Sequence, residues 1–244
     1  MTAVRTHPAP GAWDEPEGVA PRGTVVLLPG RGETAASYAR LGRRLAADGY
    51  RVRYVPVRLE DVAAAAVEEL LADESLPAPR VLLGSDSGAA LAARCAAELP
   101  VEGIVLAAIT LPESVLRPSG AADADWADEL DARTACPVHR AVISADEEFG
   151  RGAIATPVPW DTVTLRTPDR PTLALHGTDD RITPLAAALD VYARAPRPDV
   201  RLVQGGRHDV LNDVAHRSVA ATIVLFLESL RLGPGAPPIV TEPA

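Results

Sequence analysis

Three residues are best placed to do chemistry: Asp86 in a glycine-flanked turn, then an acid and a histidine far downstream, Asp180 and His208. Asp86 lies in Val81-Leu82-Leu83-Gly84-Ser85-Asp86-Ser87-Gly88-Ala89, where an apolar run passes straight into a helical pattern. A strand that turns this sharply into a helix needs small residues two before and two after the centre of the turn. It then pushes the central side chain out over the helix N-terminus. A negative charge there is favoured by the helix dipole and the free amides. Gly84 and Gly88 bracket Asp86. A register one residue later, Ser85-x-Ser87-x-Ala89, centres Ser87 instead, and an aspartate here can also simply cap the helix that follows.

Asp180 follows a strand in Leu173-Ala174-Leu175-His176-Gly177-Thr178-Asp179-Asp180, and Pro184 opens the next helix. His208 follows another strand, in Val203-Gln204-Gly205-Gly206-Arg207-His208-Asp209. An acid of this kind orients an imidazole and stabilises its charged form, and the imidazole handles the proton. The first strand ends in Leu28-Pro29-Gly30-Arg31-Gly32-Glu33. Backbone amides of such a glycine-rich turn can face the Asp86 turn and donate to an oxyanion.

The elements that must position these groups alternate. Val25–Leu28, Val52–Val55, Val81–Leu83, Gly103–Ala108, Thr172–His176 and Val200–Val203 are short, apolar and β-branched, and are predicted as buried strands. Ala35–Asp48, Leu59–Ala72, Ser87–Leu99, Pro184–Ala195 and Val214–Leu230 carry helical period. Alternation of this kind predicts a mostly parallel sheet with helices on both faces. Residues 110–169 break the rhythm, with one expected helix at Ala121–Arg133 and a strand at Val138–Ser144. A connection this long reads either as packing on the sheet or as a cap over a substrate site, and the cap is favoured. One domain is expected over residues 1–232, with a disordered Pro/Gly-rich tail over 233–244.

The order Asp86, Asp180, His208 is the chain order of the α/β-hydrolase triad. With the Gly-Arg-Gly-Glu turn, Tyr38-Ala39-Arg40-Leu41, Gly177-Thr178-Asp179-Asp180-x-Ile182-Thr183-Pro184 and Gly205-Gly206-Arg207-His208-Asp209-Val210-Leu211-Asn212, the chain resembles the monoacylglycerol-lipase and lysophospholipase-like branch of that superfamily. The resemblance covers roughly residues 24–110 and 170–230 and implies an α/β-hydrolase fold. It also implies a triad of Asp86, Asp180 and His208, and oxyanion donors at the amides of Arg31 and Ser87. Asp179 falls one residue short of the family's spacing for the acid. Two departures stand out: Pro29 replaces the usual histidine before the first glycine, and Asp86 replaces the usual serine.

That second departure changes the chemistry. A carboxylate attacking an ester gives a high-energy anhydride. Attacking a saturated carbon with a good leaving group, it gives an alkyl ester, which a His208-activated water can then hydrolyse. Haloalkane dehalogenases and epoxide hydrolases work this way on the same fold. They resemble this chain only at the elbow aspartate. Ser87 stands where they typically have Trp, and Tyr38, Tyr50, Tyr54 and Tyr192 all lie outside the cap, where an epoxide hydrolase needs its tyrosines. Trp126 or Trp160 is a candidate halide donor. Two alternatives stay open: ester or thioester hydrolysis by His-activated water with Asp86 as spectator, and a non-catalytic hydrolase-like binding protein.

Composition sets the outer limits. The net charge is −9, every basic residue other than histidine is arginine, and no basic tract occurs, which argues against nucleic acid. The expected partner is a small-molecule substrate. No apolar run approaches the roughly 20 residues of a membrane span. Cys95 and Cys136 are too few for a disulfide framework, and the residues before Pro21 lack an apolar signal core, so the default address is the cytoplasm. No dinucleotide or phosphate fingerprint appears, so no cofactor is expected. Cys136-x-x-His139 is at most half of a metal site, with no second half following, and His176 reads as structural.

Overall fold

Seven strands form one sheet in the order β1-β3-β2-β4-β5-β6-β7. The strands are β1 (Ala12–Trp13), β2 (Gly23–Leu28), β3 (Tyr50–Tyr54), β4 (Arg80–Ser85), β5 (Gly103–Ala107), β6 (Thr172–Gly177) and β7 (Pro198–Val203). All neighbouring pairs are parallel except the two-residue edge strand β1, which runs antiparallel to β3. The computed structural model describes residues 11–56, 64–112, 125–159, 170–196, 198–233 and 236–241.

Period-two alternation sends successive strand side chains to opposite faces. Val25, Leu27, Val81 and Leu83 join one core with Tyr38, Leu41 and Leu45 of α1 (Ala35–Ala47) and Val219, Ile223 and Leu227 of α7 (His216–Arg231). Val26, Leu28 and Leu82 join the other, with Val67 and Leu71 of α2 (Ala64–Ala72) and Leu91 and Cys95 of α3 (Ser87–Glu98). Val191 and Tyr192 of α6 (Leu185–Tyr192) complete it. The predicted doubly covered α/β sheet is therefore present, with all six predicted strands and β1 in addition. The predicted start of the second helix, 59–63, and of the cap helix, 121–124, lie outside the described residues. Residues 236–241, in the expected tail, are exposed and carry no regular element. Among the described residues no helix is long and apolar enough to cross a membrane.

Residues 125–159 of the insertion hold α4 (Trp126–Arg133), α5 (Pro137–Ala145) and a single 3-10 turn at Ala153–Ala155. Val138–Ser144, expected as a strand, is helical instead. Pro137 suits the first helical turn, and the buried residues His139 and Ile143 are four apart, on one helix face. The β-branched Val138 and Val142 face outward, so their strand propensity is overridden by what the other face buries. Asp125 caps α4 by accepting from the Asp128 amide at 2.9 Å.

Candidate active site

Three strand ends deliver the candidate residues. β4 runs into α3 through Asp86, whose φ of 50° and ψ of −116° lie in a region a side chain occupies only when its surroundings enforce it. The enforcement is steric. A Cβ at Gly84 would lie 2.1 Å from the Gly88 carbonyl oxygen, and one at Gly88 would lie 2.2 Å from the Leu28 carbonyl oxygen. Those contacts place the glycine bracket around Asp86, and Ser87 becomes the first residue of α3 instead of the centre of the turn. Asp86 accepts no capping bond through its side chain, so the carboxylate is free to point elsewhere.

Asp180 Oδ1 accepts from the amides of Ile182 and Thr183 at 2.8 and 2.9 Å, which fixes the carboxylate. Its Oδ2 lies 2.9 Å from His208 Nδ1. Asp179 is exposed and engaged by the Thr178 hydroxyl, so its neighbour is the acid that meets the imidazole. His208 Nε2 in turn stands 3.3 Å from Asp86 Oδ1, without hydrogen-bond alignment. Asp86, His208 and Asp180 thus converge, all buried.

The arginine on the glycine-rich turn adds what the sequence did not reveal. Its amide, the expected oxyanion donor, donates to Asp86 Oδ2 at 2.9 Å. Ser87, the other expected donor, opens α3, so its amide is free of intrahelical bonds by position. The Arg31 guanidinium also grips Asp86: Nε donates to Oδ2 and Nη2 to Oδ1, each at 2.8 Å. Nη2 reaches Thr110 Oγ1 at 3.0 Å and Nη1 the Thr156 carbonyl at 2.9 Å. A signal was available in the sequence: a buried carboxylate needs a cation, and Arg31 is the only basic residue in the turn facing it.

The charges alternate along the chain Asp180, His208, Asp86, Arg31. Burial works to raise the Asp86 carboxyl, but the charges of Arg31 and His208 hold it well below the usual carboxylate range. Burial likewise works against the charged His208, but the carboxylates of Asp180 and Asp86 push it up to about 10. His208 is therefore an imidazolium at neutral pH. Its contribution to stability is complete below about 6.5, the unfolded value, and is lost as pH rises through the folded value. Urea unfolding at about pH 7.5 and about pH 9.5 is expected to show a steeper loss in wild type than in His208→Gln. Equal losses would mean a neutral imidazole.

Behind this row lies a second buried polar cluster. Arg133, fully buried, donates from Nε to Glu129 Oε1 at 2.9 Å and from Nη2 to the Arg31 carbonyl at 2.8 Å, and its Nη1 lies 3.4 Å from Asp209 Oδ1. His139 Nε2 meets Asp209 Oδ2 at 3.1 Å. Burial, then the Asp209 charge, pushes Glu33 up to about 7, and Tyr38 donates its hydroxyl to it. Glu33, His139 and Asp209 bring ligand-type atoms within 4.8 Å of one another, the one such group among the described residues. Arg133 already supplies that cluster with a cation. Cys136 faces Arg40 and His139 faces Asp209, so the Cys136-x-x-His139 pair has separate partners. His176 is structural: Tyr192 donates to its Nδ1 at 3.2 Å and its Nε2 donates to the Thr183 carbonyl at 2.9 Å. Trp126 packs on Phe149 with Arg151 over its ring, and Trp160 lies outside the described residues. A cleft of about 570 Å³ between α1, α5 and α7, walled by Arg40, Arg44 and Arg217, includes none of the three converging residues.

No protein-family model and no curated protein matches the sequence. Solved structures do match. A soluble variant of monoglyceride lipase from Saccharomyces cerevisiae, in complex with a substrate analog, superposes with a TM-score of 0.67 at 16% identity, over 89% of this chain and 90% of that one. Monoacylglycerol lipase from Paleococcus ferrophilus gives 0.67 at 18% identity, over 89% and 97%. An esterase from Rhodococcus sp. gives 0.65 at 22% identity, over 85% and 91%. With its seven-stranded sheet, its elbow and these likenesses, the chain has the α/β-hydrolase fold.

Proposed function

We propose that the protein is a hydrolase acting on a small organic substrate, with Asp86 as nucleophile, His208 as base and Asp180 as the acid that orients it. The observation that carries this reading is the contact of Asp86 with His208 at the elbow, 3.3 Å apart, with Asp180 on the imidazole's other nitrogen. The lipases and esterases among the similar structures support hydrolysis as the reaction class. The aspartate points it towards substitution at saturated carbon.

The charges support the order of events. While Asp86 is ionised, His208 holds its proton and is no base. This weighs against direct water activation with Asp86 as spectator. Alkylation of Asp86 removes one of the two carboxylates that raise His208. The imidazole can then release its proton to the leaving group or to water, and accept one from the attacking water. The Arg31 amide is placed to stabilise the oxyanion formed on Asp86.

One turnover in H₂¹⁸O should leave the label in the Asp86 carboxylate, and His208→Gln should accumulate the Asp86 ester, read by peptide mass. Label appearing in the first product with none in Asp86 sinks the nucleophile assignment. The paired guanidinium favours a second reading, a non-catalytic scaffold in which Asp86 serves to neutralise Arg31. Inactivity and absence of any Asp86 adduct across ester, epoxide and haloalkane panels would favour it.

A further inference from the structure

The Arg31 clamp sets a condition on the substrate. A carboxylate offers about four lone-pair sites. On Asp86 three are filled by the Arg31 amide, Nε and Nη2, and His208 stands against the fourth. A carboxylate gripped on both oxygens by one guanidinium is a poor nucleophile, because its charge is matched and an N–H occupies each oxygen. Attack therefore requires the guanidinium to let go. The backbone amide can stay, because it serves the later oxyanion.

Releasing the guanidinium alone is expensive. Arg31 is buried, and the other contacts of its guanidinium among the described residues, Thr110 Oγ1 and the Thr156 carbonyl, are neutral. A buried cation stripped of its counter-charge is far costlier than one that exchanges partners. A neutral substrate offers nothing in exchange, whereas an anionic one does. Among the described residues four guanidinium N–H donations are in use, so of the five that arginine has one on Nη1 is left there to receive the newcomer first. The donors that must be released lie 2.8 Å from the oxygens that attack, so the anionic group sits close to the reacting carbon.

We infer that Arg31 is the specificity-determining residue of this site and that the substrate carries a carboxylate next to the carbon attacked. This rests on the reading of Asp86 as nucleophile. The carboxylate takes over the Arg31 guanidinium and frees Asp86. An Asp86 oxygen then bonds to the adjacent carbon, the bond to the leaving group breaks with its electron pair, and His208 gives up its proton to the leaving group or to solvent. Water adds to the Asp86 carbonyl carbon and gives its proton to His208. The acyl–oxygen bond breaks, and the hydroxy acid leaves with the former Asp86 oxygen and the proton from His208. Asp86 keeps the water oxygen.

Bromoacetate and bromoacetamide are matched in size and differ in charge. In His208→Gln protein, mass mapping of the Asp86 peptide is expected to show at least about 100-fold faster labelling by bromoacetate. With Arg31→Gln added, the preference should shrink to within about threefold, since the cation that selects is gone. Equal labelling by both probes with Arg31 intact overturns the selection while leaving Asp86 a nucleophile. Labelling of Asp86 by neither probe, in either protein, overturns the nucleophile and the inference with it. The comparison with Arg31 intact is decisive even where Arg31→Gln unfolds, which circular dichroism would reveal.

Discussion

Asp86→Asn is expected to destabilise the protein by about 3–5 kcal/mol, although it changes one atom. Asparagine tolerates positive φ as well as aspartate does, so the elbow keeps its backbone. What changes is charge. Arg31, 6% exposed, loses the only carboxylate bonded to its guanidinium among the described residues. In a chain of this size such a loss lowers Tm by roughly 6–20 °C. Arg31→Gln is expected to cost less, because the imidazolium of His208 still faces Asp86. The two changes together should then fall short of their sum by about 3 kcal/mol, the signature of a shared interaction. Urea denaturation of the four proteins measures all three numbers. Asp86→Asn within about 0.5 kcal/mol of wild type would mean the pair is solvated or unmade.

Arg133→Met is expected to cost a similar amount, about 3–5 kcal/mol, for a related reason. The methionine keeps part of the side-chain volume but leaves Glu129 and Asp209 without the guanidinium, and the Arg31 carbonyl without its donor. Here pH separates charge from packing. Burial raises Glu33 to about 7, and it works the same way on Asp209, whose carboxyl is held low chiefly by the Arg133 charge. Lowering the pH lets the remaining carboxylates take up protons in place of the missing cation. The deficit should therefore narrow from about pH 8 to about pH 5. A deficit that is constant over that range would assign the loss to packing around Phe149, over whose ring the Arg133 guanidinium lies at 5.0 Å.

The two arginines mark where reading the sequence stopped. Strands β2, β4, β5 and β6 were legible because each is a short apolar run, and the two glycines around Asp86 gave the elbow its register. Asp180 and His208 were legible because each follows a strand at a glycine-rich loop. Those loops meet closely: a Cβ at Gly177 would lie 2.1 Å from the Gly206 carbonyl oxygen. The Arg31 side chain was not legible, because spacing carries backbone roles well and says little about where a long side chain goes. Nor was α5, because Val138 and Val142 advertise a strand while the face that matters buries a histidine. Arg133 ends a predicted helix, and nothing in the spacing marks its side chain as buried. Only the fold brings Glu129, Asp209 and the Arg31 carbonyl around it.

Residues 125–159 are stitched to the turn that carries Arg31 at several points. The Gly150 amide donates to the Gly32 carbonyl at 2.8 Å, and a Cβ at Gly32 would lie 2.3 Å from the Gly150 oxygen. Asp146 accepts from Thr34, Thr156 accepts from Arg31, and Arg133 reaches under the turn. An insertion held this way is no separate flap that swings while the sheet stays still. It shares one cooperative unit with the turn that carries Arg31. Exchanging this insertion for that of another protein on the same sheet would carry away the Thr156 carbonyl, the Asp146 carboxylate and the Arg133 guanidinium that the turn beneath it uses, so the two have to be transplanted together.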